Sequence, residues 1–255
     1  MTEIRNPFVH SSAAQRYSRS RPEFHPIVME RIRARLELLD LLDLAVDVGC
    51  GTGQSARALT MLARRVIATD ISLEMLAEVE PHPQVRYLHA PAENLPLEGE
   101  SVDLITASLA FHWFDRSRFL SEVQRVLKPG GTLVVYSNFF TSQMLENPNF
   151  LEASNRVYRH FPTPPRHSEP LTAANVVPFG LELMAEERYS NEVKFTLEGL
   201  IEYMLTQSNF ILPIEDGRKN LLEVHSMLEQ ELGPCFLSES ATFSFEGKVV
   251  YLQKL

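Results

Sequence analysis

Three glycines at alternate positions, Gly49, Gly51 and Gly53, follow a short apolar run that carries one carboxylate, Val46-Asp47-Val48. A strand that breaks in this way lets a ligand approach the backbone closely, because glycine has no Cβ and tolerates positive φ. The chemistry indicated is the cradling of a nucleotide-like cofactor. A second carboxylate, Asp70, ends the apolar run Val66-Ile67-Ala68-Thr69. There it can accept both hydroxyls of a ribose, with Ile71 beside it to pack on an adenine face; alone, a strand-end Asp also serves as a helix cap.

Dinucleotide turns use glycines in a G-x-G-x-x-G pattern. Counted from Gly49, the second glycine fits at Gly51, but Gln54 stands where the third belongs and the glycine falls at Gly53. The NAD spacing therefore fails by one residue, and the Tyr/Lys or His arrangement of an oxidoreductase is not found. Cys50, inside the glycine run, reads as a space-filling residue and not as a nucleophile.

Further carboxylates and a histidine lie downstream, in Ala90-Pro91-Ala92-Glu93-Asn94-Leu95-Pro96-Leu97 and in Ser108-Leu109-Ala110-Phe111-His112-Trp113-Phe114-Asp115. The second block follows an apolar run, so it falls beyond the carboxyl end of a strand, where open α/β sheets bind ligands. His112 there is a candidate general base for a hydroxyl, amine or carbon acid. Its alternatives are a hydrogen bond to the cofactor or a covering segment, or packing against Trp113.

These residues need a parallel sheet to position them. From residue 26 to about 137, helix-period segments alternate with short β-branched runs, as a βαβ series requires. Val28, Ile32, Leu36 and Leu39 mark an opening helix with one apolar face. Strands are expected at Leu44 to Val48, Arg65 to Thr69, Val85 to His89, Val102 to Ser108 and Thr132 to Ser137. Helices are expected at Gln54 to Ala63, at Ser72 to Val79 with Ser72 as N-cap, and at Asp115 to Leu127. Asp115 caps the last of these and Lys128-Pro129-Gly130-Gly131 stops it.

After Asn138 the rhythm changes and the pattern is mostly helical, with the turn Phe161-Pro162-Thr163-Pro164-Pro165 and helices at Leu197 to Leu205 and Asp216 to Leu232. Residues 241–255 read as a hairpin of Ala241 to Phe245 and Lys248 to Leu252 around Glu246-Gly247. The expectation is a single α/β domain: an N-terminal lid segment 1–25, a cofactor-binding core 26–137, a helical insertion 138–240 and the hairpin 241–255. Its sheet is Rossmann-like, seven-stranded and mostly parallel, with the terminal hairpin antiparallel.

Composition narrows the partners. The 255 residues hold 33 acidic and 24 basic side chains, a formal charge of −9, which argues against a nucleic-acid binder held by phosphate neutralisation. Two cysteines, Cys50 and Cys235, form neither a disulfide framework nor a metal pattern, and the eight histidines lack zinc spacing, so no metal is expected. No apolar stretch approaches the roughly 20 residues of a membrane span. The start, Met1 to Pro7, lacks a signal-peptide core, and a cytoplasmic protein, monomeric or homodimeric, is expected.

The run Asp47-Val48-Gly49-Cys50-Gly51-Thr52-Gly53, an acidic residue with G-x-G-x-G, resembles motif I of the class I S-adenosylmethionine-dependent methyltransferases. With Asp70, Ala92-Glu93, the block Ser101-Val102-Asp103-Leu104-Ile105, His112-Trp113-Phe114-Asp115 and Val126-Leu127-Lys128-Pro129-Gly130-Gly131, the likeness spans roughly residues 40–137. It extends to the small-molecule subgroup that includes trans-aconitate methyltransferase.

The resemblance implies S-adenosyl-L-methionine as cofactor, S-adenosyl-L-homocysteine as product, and direct methyl displacement onto a small-molecule acceptor. By it, Gly49, Gly51 and Gly53 line the methionine part, Asp47 holds the cofactor or its loop, and Asp70 and Ile71 meet ribose and adenine. Ala92 and Glu93 meet the adenine edge, and backbone at Ser108 holds the ammonium group. The segment Tyr17-Ser18-Arg19-Ser20-Arg21-Pro22 resembles the subgroup's lid, which implies cofactor contacts from Tyr17 and Arg21; His25 departs from it by separating Phe24 from Pro26.

In the insertion, Arg156, Arg159, His160, Arg166 and His167 form a loosely basic stretch that either binds a carboxylate substrate or is a solvated face. Phe139, Phe140, Tyr203, Met204 and Phe210 are either an apolar pocket floor or core. A carboxylate acceptor needs no base, because positioning against the sulfonium supplies much of the barrier reduction. Two other readings stay open: a binder of S-adenosylmethionine without catalysis, or an enzyme using a derivative of that cofactor.

Overall fold

The structure is a computed structural model that describes residues 6–255. Met1–Arg5, part of the expected lid segment and of the stretch read for a signal peptide, lie outside the described residues.

Seven strands form one sheet in the order β3-β2-β1-β4-β5-β7-β6. They are β1 (Leu42–Val48), β2 (Ala63–Asp70), β3 (Val85–His89), β4 (Val102–Ser108), β5 (Leu127–Met144), β6 (Leu181–Thr196) and β7 (Ser240–Lys254). The first five pair in parallel and the β5-β7-β6 edge is antiparallel. β1 and β4 are inner strands buried on both faces, which is why they read as unbroken apolar runs.

The helices are α1 (Ser11–Ser20), α2 (His25–Arg35), α3 (Gln54–Leu59), α4 (Leu73–Ala77), α5 (Arg116–Val126), α6 (Phe150–His160), α7 (Ala173–Val176), α8 (Leu197–Met204), α9 (Ser208–Glu215) and α10 (Leu221–Leu232). The expected caps are present. Ser72 Oγ accepts from the Met75 amide at 3.0 Å to start α4, and Asp115 Oδ1 accepts from the Arg118 amide at 3.2 Å to start α5. The Lys128-Pro129-Gly130-Gly131 run ends α5 and is then looped out of β5. Strand pairing jumps from Val102↔Leu127 to Leu104↔Thr132, with Gly130 at φ +77.

Two expectations are corrected. The terminal hairpin does not form: β7 runs unbroken through Glu246-Gly247, and Gly247 lies in extended strand where a Cβ would come 2.0 Å from the Tyr189 ring. That glycine makes room for an aromatic ring and does not turn the chain. The seventh strand is instead β6, inside the stretch read as helical. Its burial alternates residue by residue, with Glu182, Glu186, Arg188, Glu192 and Lys194 outward, the charged pattern of an edge strand.

The chain divides into two compact units. One comprises residues 23–137, 166–188 and 248–255, with a core of Val46, Val48, Ile105, Ala107, Phe111, Phe119, Val123, Leu133 and Leu252. The other comprises residues 6–22, 138–165 and 189–247, with a separate core of Phe150, Val157, Tyr203, Met204, Phe210, Leu228, Phe243 and Phe245. In this second unit Phe140, Tyr203, Met204 and Phe210 are core, not a pocket floor, while Phe139 is 48% exposed.

Candidate cofactor and acceptor site

The glycine turn leaves β1 with all three glycines at positive φ: +71 at Gly49, +55 at Gly51 and +83 at Gly53. Space is as tight as the dihedrals. A Cβ on Gly49 would lie 2.5 Å from Ala110 Cβ, and one on Gly53 would lie 2.7 Å from the Tyr87 hydroxyl. Gly53 also serves as the residue before α3, so the turn delivers the chain directly into a helix N-terminus.

Two carboxylates hold this turn from opposite sides. Asp47 is fully buried, and its oxygens accept from Ser55 Oγ at 2.5 Å and from Thr106 Oγ1 at 2.7 Å, tying β1 to α3 and β4. Burial raises its carboxyl from 3.8 to about 6, against the pull of the two hydroxyls. Asp47 thus fastens the loop. Asp70 accepts from the Gly51 amide at 2.8 Å on one oxygen and from the Ser72 amide at 2.8 Å on the other. Its pKa is also raised, by burial first. A carboxylate accepts at about four positions, so Asp70 retains capacity for a further donor.

Beside Asp70, Ile71 and Leu73 are 57% and 59% exposed, an apolar shelf open to solvent. Ala92 is buried; Glu93 Oε1 accepts from the Asp115 amide at 2.8 Å, so it props the start of α5. Sequence reasoning missed what anchors that loop: Glu122 Oε1 accepts from the Leu95 amide at 2.7 Å, and Arg125 donates to Leu97 O at 2.8 Å. A buried Glu on a helix interior was the available signal. Cys50 is buried, and burial pushes its thiol pKa well above the usual range.

Three hydroxyls at the carboxyl ends of the strands, Thr52, Thr69 and Ser108, are buried with no hydrogen-bond partner among the described residues. Buried polar atoms are rarely left so. Together with glycines that a Cβ would fill and a carboxylate with capacity for a further donor, they fit a polar ligand of the S-adenosylmethionine kind. Thr52 and Thr69 were not expected from the sequence.

β4 ends at Ser108, and the next residue, Leu109, has φ +53, a strained conformation for a branched side chain. A cavity of about 220 Å³ opens there, walled by residues 109–112, 135–137 and 168–171 with Lys248 and Val250. His112 lies in its wall. Its pKa is pushed from 6.5 down to about 4, by burial first and then by the charges of Arg166 and Arg116, so the imidazole is neutral and weakly basic. The carbonyl of His112 accepts from the His167 amide at 3.1 Å, and Arg116 donates to Glu169 O, which fastens loop 166–171 over this end of the sheet.

Tyr17 and Arg21 lie in the second unit. There the Arg21 guanidinium sits 4.6 Å from the Tyr17 ring centre and 5.3 Å from that of Tyr203, and donates to Thr206 O at 3.0 Å. Arg156 pairs with Glu231 at 3.1 Å and Glu152 at 3.8 Å, as a solvated helix face does. His25 occupies the first turn of α2, buried, with Nδ1 3.0 Å from the Tyr136 hydroxyl, and burial drops its pKa to about 3. It completes a core and does not interrupt a helix.

The strand order, parallel through β5 and antiparallel at the β5-β7-β6 edge, matches the Rossmann-like α/β fold of methyltransferases. Residues 46–135 match the family described as a methyltransferase domain. A malonyl-[acyl-carrier protein] O-methyltransferase from a Marinomonas species is 39% identical over 144 residues, 52% of this chain and 51% of that protein. The chain thus spans about half the length of that relative. An uncharacterized methyltransferase from Schizosaccharomyces pombe is 25% identical over 216 residues, 84% of each chain. Among solved structures, a candidate type II methyltransferase from Anaeromyxobacter dehalogenans superposes with a TM-score of 0.70 at 22% identity, covering 92% of this chain and 97% of that one.

Proposed function

We propose that the protein is an S-adenosylmethionine-dependent methyltransferase for a small-molecule acceptor, and that the acceptor is a carboxylate. The observation that carries the first part is the turn of three positive-φ glycines facing Asp70, with unpartnered Thr52, Thr69 and Ser108 hydroxyls beside it. Gly49, Gly51 and Gly53 receive the methionine part, Asp70 the ribose, and Ile71, Ala92 and Glu93 the adenine. Backbone at Ser108 meets the ammonium group. No metal takes part in this reading.

When bound, the cofactor would supply an electrophilic methyl carbon on sulfur, a leaving group that lets an acceptor oxygen take the methyl group by direct displacement. The chain's own contribution is to hold both partners in line and to keep water out. The weak basicity of His112 supports an acceptor that arrives already ionised, since a base of pKa about 4 removes little from a hydroxyl or an amine. The malonyl-[acyl-carrier protein] relative is by its name an O-methyltransferase, which favours oxygen as the accepting atom. Cytoplasmic location and a monomeric or dimeric state remain part of the proposal; among the described residues no helix is long and apolar enough to cross a membrane.

Isothermal titration tests the cofactor: binding of S-adenosylmethionine and S-adenosylhomocysteine without binding of NAD is expected, and the reverse preference ends this reading. A methyl-transfer screen over carboxylates, phenols and amines, read by S-adenosylhomocysteine formation, tests the acceptor. Turnover with carboxylates is expected; turnover confined to amines would refute the acceptor class.

A further inference from the structure

We infer that the cavity beside His112 seats the methyl acceptor, that its occupant is an organic monoanion with a short apolar body, and that Arg166 selects it. The inference rests on the methyltransferase reading and goes beyond it by naming the place and the residue.

The wall of the cavity is apolar for most of its extent, from Leu109, Val135, Leu171 and Val250, and its polar side chains include His112, Ser168, Glu169 and Lys248, a mixture that suits a small-molecule site. Its charged neighbours are paired among themselves with one exception. Lys248 Nζ lies 2.7 Å from Glu186, and Arg116 lies 3.5 Å from the Glu169 carboxylate. Arg166 makes no ion pair and no hydrogen bond among the described residues. In an acidic protein with a formal charge of −9, carboxylates to pair with it are plentiful elsewhere.

The position of Arg166 is set by the fold. It precedes His167, whose amide is bonded to the His112 carbonyl, and loop residues Ser168 to Leu171 form one wall of the cavity. Its charge reaches His112, whose proton affinity it lowers. The side chain is solvent-accessible, as a group that meets an incoming ligand must be. With each neighbouring cation already matched, one excess positive charge remains, and a single carboxylate balances it with two parallel N–H···O bonds. The strained Leu109 backbone in the same wall is the kind of conformation found at ligand sites.

The test uses the full chain with saturating S-adenosylmethionine, butanoate and hexanoate as probes, and the corresponding primary amides as neutral controls. The acids should be methylated and the amides should neither react nor compete. Arg166→Gln should raise KM for the acids by about tenfold or more, the loss of a charge-assisted pair, with kcat within about threefold. S-adenosylhomocysteine affinity should stay unchanged, and Arg166→Lys should recover part of the KM. An unchanged KM in Arg166→Gln, or amides that compete as well as acids, overturns the assignment of Arg166. S-adenosylhomocysteine binding with turnover only of neutral acceptors overturns this inference and leaves the methyltransferase reading standing. Failure of the wild type to bind S-adenosylhomocysteine removes that reading, and the inference with it.

Discussion

Asp47 and Asp70 are both carboxylates at strand ends, yet they do different work because their hydrogen-bond partners differ. Asp47 spends both oxygens on Ser55 and Thr106, and burial raises its pKa to about 6 from 3.8. A raised value means the folded protein binds that proton more tightly than the unfolded chain. The associated stability is therefore fully present below about pH 4, is lost as pH rises through about 6, and changes little above. Wild type should lose on the order of 3 kcal/mol relative to Asp47→Asn across that window. Denaturant unfolding at a series of pH values measures this, and a difference that ignores pH contradicts it. Asp70→Ala should weaken S-adenosylhomocysteine by on the order of 1 to 3 kcal/mol through lost charge-assisted bonds; an unaltered Kd takes Asp70 out of the site. His112→Asn should keep kcat for a carboxylate acceptor within about tenfold, below the 10² that a general base supplies at least. A pH–rate limb near neutrality that disappears in that variant would restore the base role. The glycines, Asp70 and Cys50 were legible residue by residue because their meaning is local. Thr52 and Thr69 were not, since a hydroxyl is informative only once its burial and lack of partners are known.

The elements divide along the same line. β1 and β4 are legible because a strand buried on both faces is an apolar run, and each is ended by a glycine or a polar residue that cannot continue it. Ser72 and Asp115 mark helix starts for the same local reason. β6 was hidden by its glutamates and lysine, which look helical by composition although their spacing alternates strictly. β7 was split in two because a glycine in a short run suggests a turn, whereas here the partner ring of Tyr189, distant in sequence, requires it. Gly247→Ala should therefore destabilise by roughly 1 to 3 kcal/mol through overpacking. Adding Tyr189→Ala should recover part of that loss in thermal unfolding, and strict additivity of the two changes would refute the steric account.

At the scale of the molecule, a ligand that binds only the folded chain must stabilise it. S-adenosylhomocysteine at about one hundred times its Kd should add roughly 2.7 kcal/mol to unfolding, raising Tm, while NAD at the same concentration should leave Tm unmoved. A shift with NAD alone would end the assignment. Each compact unit carries its own core, and the three long strands β5, β6 and β7 have residues in both. By itself the sequence determined the parallel βα series, the glycine turn and the acidic residue that follows it, because short-range sterics and backbone hydrogen bonding fix those features within a few residues. Only the tertiary structure decided that Asp47 is consumed by the loop, that His112 is a weak base and that Arg166 is left without a partner. These depend on burial and on charges contributed by segments far apart in the chain, which no local pattern encodes.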